Sequence, residues 1–219
     1  WLGTYSGLAV KDPMGVRVYG PEKGLLASRV LGIWPAAHER IWVINDNGPF
    51  WKTERDFFEA VPGWPGGIPS AMAGTTEGAE VWISFSRQGR YGVNHWKEGQ
   101  WEQALFEEPA EETIERLAVA KDGTVWLRSN GMLWSKKKEE VVFRKYPLSL
   151  PHVNQTPVLY IDPDGALWVP TTRGIVKIRG DKYEELTEKE GFSPRVIHSL
   201  FVDSEGSMWI GGNDLYRVL

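Results

Sequence analysis

A chain of 219 residues with no cysteine and four histidines has few groups for nucleophilic or metal chemistry. Thiolate nucleophiles, disulfides and cysteine-based zinc sites are excluded. No Gly-x-Ser-x-Gly occurs. His38, His95, His152 and His198 fall one to a region, and no pair has metal-ligand spacing. His198, in the phrase IHSLF, reads as a core or channel-side histidine. His38, in an Ala-Ala-His-Glu turn, reads as solvated. The 29 acidic residues are scattered. Glycosidase chemistry needs two carboxylates about 5–10 Å apart across a cleft, and the sequence marks no such pair. Asp122, Asp162, Asp164, Asp203 and Glu205 sit in short Gly-containing turns, where a structural role outweighs a catalytic one. No catalytic residue, no metal ligand and no cofactor is therefore expected.

Binding chemistry has better material, and it lies in loops. Trp64 stands in the loop of residues 62–67, Pro-Gly-Trp-Pro-Gly-Gly. Arg87 and Tyr91 bracket a turn at 87–91. His152 and Asn154 share one connection, Arg195 lies in another, and Arg173 lies in a short turn. Aromatic faces beside planar donors suit a glycan or another small polar ligand. The plainer alternative is that Trp64 caps the end of a sheet and the rest is turn chemistry. The run Lys136-Lys137-Lys138-Glu139-Glu140 reads as a solvated turn.

The elements that must position these residues are short strands. Residues 158–178 hold three apolar runs separated by Asp-Pro-Asp-Gly and Thr-Thr-Arg-Gly turns, the mark of a β-meander. The phrase recurs. Trp1, Trp42, Trp82, Trp126, Trp168 and Trp209 are spaced by 41, 40, 44, 42 and 41 residues. That period, with several strands per repeat, predicts an all-β propeller of four-stranded antiparallel blades. The units run at about 1–28, 29–68, 69–113, 114–156, 157–195 and 196–219. The first and last hold three strands each and the other four hold four, twenty-two in all. This predicts a single propeller fragment, an incomplete arc of four full and two partial blades. Alternation in Ile41-Trp42-Val43 and Val81-Trp82-Ile83 puts each Trp on one face of its strand, as an inter-blade packing layer. Residues 107–116 could form a helical turn or an acidic loop.

Composition bounds the partners. Hydrophobic residues make up 42% of the chain, ordinary for a globular protein, and the net charge is −4. That balance gives no electrostatic footprint for nucleic acid or an anionic membrane. No run approaches the roughly 20 apolar residues of a membrane helix. The chain opens on Trp1, inside a repeat, which suggests a piece of a longer polypeptide.

Residues 158–178 and 196–218 resemble the two-component regulator propeller repeat. Asp162, Gly165, Leu167, Trp168, Val169, Thr171, Gly174 and Ile175 follow its pattern. So do Asp203, Gly206, Met208, Trp209, Ile210, Gly211 and Leu215, and Trp1, Leu2, Gly3, Thr4, Gly7 and Leu8 match its second half. The units around Trp42 and Trp82 are degenerate. Sialidase boxes place Asp five residues before Trp; here the separation is six. Quinoprotein docking motifs place Gly and Gln differently. The resemblance implies a periplasmic or otherwise extracytoplasmic input module of bacterial membrane sensors, hybrid histidine kinases or diguanylate cyclases. It implies a segment that catalyses nothing, binds a ligand, often a glycan fragment, or pairs with its twin as a homodimer, and is attached to membrane-anchored signalling domains outside it. Two alternatives stand beside it: a propeller glycan hydrolase or lyase, and an interaction scaffold with no small ligand.

Overall fold

Each apolar run forms a strand, and consecutive strands pair antiparallel through tight turns. The computed structural model describes residues 1–36, 40–75, 79–129, 131–148, 150, 158–171, 174–180, 182–187, 197–203, 205–212 and 214–218. Among them are twenty-three strands in six meander sheets, the blades of a β-propeller. The chain packs as two compact units, Trp1–Leu117 and Ala118–Leu219.

Unit 1 carries three sheets. The first is β1 (Leu2–Thr4), β2 (Gly7–Asp12) and β3 (Gly15–Tyr19). The second is β4 (Val30–Pro35), β5 (Ile41–Asn45), β6 (Gly48–Lys52) and β7 (Phe58–Ala60). The third is β8 (Ile68–Gly74), β9 (Glu80–Arg87), β10 (Arg90–Lys97) and β11 (Gln100–Gln103). The expected last strand of that sheet, WEQALF, breaks at Ala104 and leaves the short β12 (Leu105–Phe106). This accounts for twenty-three strands where twenty-two were predicted. The fourth sheet, which starts at the unit division, is β13 (Arg116–Val119), β14 (Val125–Arg128), β15 (Leu133–Lys136) and β16 (Val142–Lys145). Unit 2 continues with β17 (Tyr160–Ile161), β18 (Leu167–Pro170), β19 (Gly174–Arg179) and β20 (Lys182–Thr187). It ends with β21 (Ile197–Val202), β22 (Met208–Gly212) and β23 (Leu215–Val218). The only helix among the described residues is a 3-10 turn at Pro21–Lys23. None is long and apolar enough to cross a membrane.

Sheets are sandwiched, so their second strands are apolar on both faces. Along β5, Ile41 and Val43 join a core with Leu8, Tyr19 and Phe58, while Trp42 and Ile44 join another with Val81, Ile83 and Trp96. Along β18, Leu167 and Val169 face a core containing Leu133 and Trp126, while Trp168 faces one containing Ile197 and Ile210. A two-residue period sends neighbours to opposite cores, which is why IWVIN and LWVP read as unbroken apolar runs. The Trp column keeps its place in the second strands, but its surroundings differ. Trp42, Trp82, Trp126 and Trp168 are buried, whereas Trp1, which precedes β1, is 39% exposed.

The turn before each of the last two Trp explains the six-residue spacing. The Trp168 indole N–H donates to Asp162 Oδ2 at 2.9 Å, and the Trp209 indole N–H to Asp203 Oδ2 at 2.7 Å. The other carboxylate oxygen accepts a backbone N–H, from Ala166 at 2.8 Å and from Ser207 at 2.9 Å. Gly165 and Gly206 take φ of 85° and 86° to turn the chain between them. In β14's turn the same backbone bonds form, but Ala120 occupies the Asp position. Gly174 has φ 154°, and a Cβ there would lie 1.9 Å from the Leu186 carbonyl oxygen, so the repeat's glycine is sterically required.

Two readings narrow and one changes. Of the two alternatives for residues 107–116, the loop holds up to β13 and there is no helix; the segment is pinned by buried Ile114, whose carbonyl accepts from Ser70 at 2.8 Å and Ser84 at 2.9 Å. His198 is exposed on β21, which excludes the core half of the core-or-channel-side reading. Lys136 is buried rather than solvated, and its ammonium donates to the Glu140 carbonyl at 2.9 Å, capping the turn that follows.

Candidate ligand-binding site

The third sheet carries a cavity of about 530 Å³, lined by Pro65, Gly66, Phe85, Arg87, Gln88, Arg90, Tyr91, Asn94 and Gln103. Its rim is the β9–β10 hairpin. Gln88 and Gly89 take φ of 50° and 73°, the left-handed pair of a two-residue type I′ turn. That turn sets Arg87 and Arg90 directly opposite each other in register, followed by Tyr91 against Ser86 and Gly92 against Phe85. A side chain at Gly92 would have its Cβ 3.0 Å from the Phe85 ring. Glycine there lets the ring lie across β10 as an apolar floor.

The loop of residues 62–67 closes another side. Trp64 is half-buried, packed edge-on to Trp101 (4.8 Å between centroids) and to Phe85 (6.3 Å), and its indole N–H donates to the Gly67 carbonyl at 3.4 Å. A Cβ on Gly67 would meet the Phe85 ring at 2.8 Å, so only glycine lets the loop come this close to β9. Arg87 Nη1 donates to the Pro65 carbonyl at 3.0 Å, tying the loop to the hairpin. Trp64 thus supports the cavity from behind, and Pro65 and Gly66 face it.

Asn94 is the polar group the fold leaves unanswered. It is 1% exposed, and its Nδ2 has no hydrogen-bond partner in the chain. An unmet buried amide costs about 1–3 kcal/mol, and the residue that carries it lines the cavity. Its cross-strand neighbour Gln103 supplies a second amide. Of the residues expected from sequence, Arg87 and Tyr91 meet here, with Trp64 behind them. His152, Asn154, Arg173 and Arg195 lie outside the described residues. Phe85, Arg90, Asn94 and Gln103 were not singled out. Asn94 had a signal: Asn is depleted inside strands, and here it sits between Val93 and His95 in a run otherwise fit for burial.

The last repeat matches a known family model. Residues 191–214 match the family model described as two component regulator propeller. That match covers the last repeat of the chain. No curated protein matches this chain in sequence. Among solved structures it is similar to virginiamycin B lyase from Staphylococcus aureus, with a TM-score of 0.73 and 14% identity over 98% of this chain and 74% of that one. PorZ of Porphyromonas gingivalis, a surface component of the type-IX secretion system, gives 0.74 and 17% over 98% and 36%. The extracellular domain of a putative hybrid two-component system from B. thetaiotaomicron gives 0.61 and 20% over 99% and 31%. At these identities the likeness is one of fold. This chain spans under a third of that receptor domain's length.

β9 and β10 also hold a titratable pair. His95 lies opposite Trp82, its ring stacked 3.6 Å away at 4°. Its Nε2 is 3.1 Å from Glu80 Oε2, and Lys97 Nζ is 3.1 Å from Glu80 Oε1. Burial holds the imidazole pKa below its ordinary value despite the pull of Glu80. Burial pushes the Glu80 carboxyl the other way, but Lys97 and His95 outweigh it and its pKa is lowered. At neutral pH a neutral His95 donates to an ionised Glu80. No group of three or more metal-ligating side chains occurs among the described residues.

Proposed function

We propose that this chain is the non-catalytic, ligand-sensing propeller of an extracytoplasmic bacterial receptor. Its six sheets form one propeller, and the signal passes to a membrane-anchored histidine kinase or diguanylate cyclase domain outside this stretch. The observation that carries the reading is the cavity in the third sheet: an aromatic floor, planar donors and a buried unanswered amide, with no carboxylate, histidine or serine among its lining residues. Those are the parts of a recognition site. An inverting or retaining glycosidase would need two carboxylates there. The regulator repeat at 191–214, and a fold shared with the extracellular domain of a two-component receptor, support the sensor setting. A glycan fragment or another small polar ligand suits the amides and the Phe85 ring. The test is a glycan-binding screen of the purified chain alongside hydrolase and lyase assays on the same panel. Binding that Trp64→Ala weakens, with no turnover, is the expected result. Robust turnover of a glycoside or uronate polymer would overturn the reading.

A further inference from the structure

We propose that the cavity of the third sheet is a carboxylate site, taking a small acidic ligand such as a sugar acid. The inference rests on reading that cavity as the sensor's ligand site.

Charge is the first argument. Both charged lining residues, Arg87 and Arg90, are cationic. The type I′ turn holds them as a directly opposed cross-strand pair, and like charges so placed repel. Neither has a carboxylate partner among the described residues: Arg87 donates to the Pro65 carbonyl, and the Arg90 side chain makes no hydrogen bond or ion pair there. The chain as a whole is acidic, with a net charge of −4, so carboxylates were available and are not used here. An anion between the two guanidinium groups relieves the repulsion.

Donor geometry is the second. The Pro65 bond fixes the Arg87 plane, and a fixed guanidinium fork matches the two oxygens of a carboxylate. Asn94 adds a buried N–H that needs an oxygen acceptor. Phosphate sites more often use backbone N–H nests or helix N-termini. These donors are planar side chains on strands. The third is size and surface. About 530 Å³ lies within the usual range for small-molecule pockets, and the Phe85 ring with Pro65 gives an apolar face on which a sugar ring can rest.

The test is calorimetric titration of the whole chain with galacturonic and glucuronic acids and their disaccharides, the matching methyl esters, and inorganic sulfate. The acids are expected to bind, more weakly as salt rises. Esterification, Arg90→Gln and Asn94→Ala should each weaken binding about ten- to hundredfold, the range of a lost charge-assisted hydrogen bond. Arg90 is exposed, so Arg90→Gln keeps the test sound should Asn94→Ala not fold. Equal binding of acid and ester, still weakened by Asn94→Ala, would overturn the carboxylate assignment and leave the cavity a ligand site. Sulfate binding as tightly as the acids would overturn it in favour of a general anion site. No probe responding to either variant would sink both the inference and the cavity's role.

Discussion

Unit 1 and unit 2 build the same four-stranded sheet by different means. In unit 2 the fifth and sixth sheets each lock a turn to a Trp through one Asp, at 2.9 and 2.7 Å. In unit 1 no Asp stands six residues before Trp42 or Trp82. The second and third sheets instead pack indole on indole: Trp42, Trp51, Trp96, Trp101 and Trp64 form a continuous edge-on cluster with centroids 4.8–6.4 Å apart. The Trp42 indole N–H, at 0% exposure, is left without a partner there. Dispersion and ring geometry replace the hydrogen bond. The sheets that keep the repeat spend its polar residues on architecture. The sheet that lost it has Arg87, Arg90 and Asn94 free to face a cavity.

That contrast can be broken in graded ways. The largest effect is expected from Trp64→Ala, which removes the ring linking Trp101 to Phe85. It should cost about 3 kcal/mol, the low end for a buried Trp because this one is half-buried, read by urea denaturation. A neutral result would show that the cluster does not support unit 1. Next comes Asp162→Ala in unit 2. The carboxylate is 7% exposed and accepts two hydrogen bonds, so its loss should cost about 1.5–3 kcal/mol. A change below half a unit of that scale would mean the turn holds without its lock.

Acidification should weaken the third sheet in two stages. The folded pKa of His95 lies below its ordinary 6.5, mainly through burial. The unfolded chain therefore takes up a proton that the folded chain refuses. The stability this confers is complete above pH 6.5 and is lost as pH falls from there toward the lower folded value. Glu80 adds a second stage: its contribution is present above its ordinary 4.5 and is lost below it. The charged groups acting on the imidazole are Glu80, Glu102 and Lys97. His95→Gln should remove the first stage from a pH-dependent melting series, and an unchanged series would refute the assignment. The smallest effect is a gain. Ala120→Asp places a carboxylate six residues before Trp126, on a turn whose backbone already matches, and should stabilise by about 1 kcal/mol or less.

The architecture was legible because a two-residue period and a Trp near every forty-first residue are local signals. Ile41–Asn45 was placed to the residue, and most other strands within two. The site was legible only in part. Arg87 and Tyr91 sat in a turn whose Gly marked it, and Trp64 in a loop unlike the others. Their partners were hidden because they meet across strand register: Asn94 reaches the cavity only through its pairing with Gln103, and Phe85 only because Gly92 lies opposite it. Lys136 was misread for a related reason. A charge run looks solvated until a following turn supplies carbonyls to one of its members.

The Asp-to-Trp bond is confined to seven consecutive residues and asks nothing of any other sheet. Such a self-contained fastening can be lost from one blade without loosening the next, provided other packing takes over. Drift can then erase the signature blade by blade while the shape persists. The family model's match in this chain is a 24-residue window, 191–214, which holds one of the two fastenings. The blades in which new specificity can arise are those where it has gone.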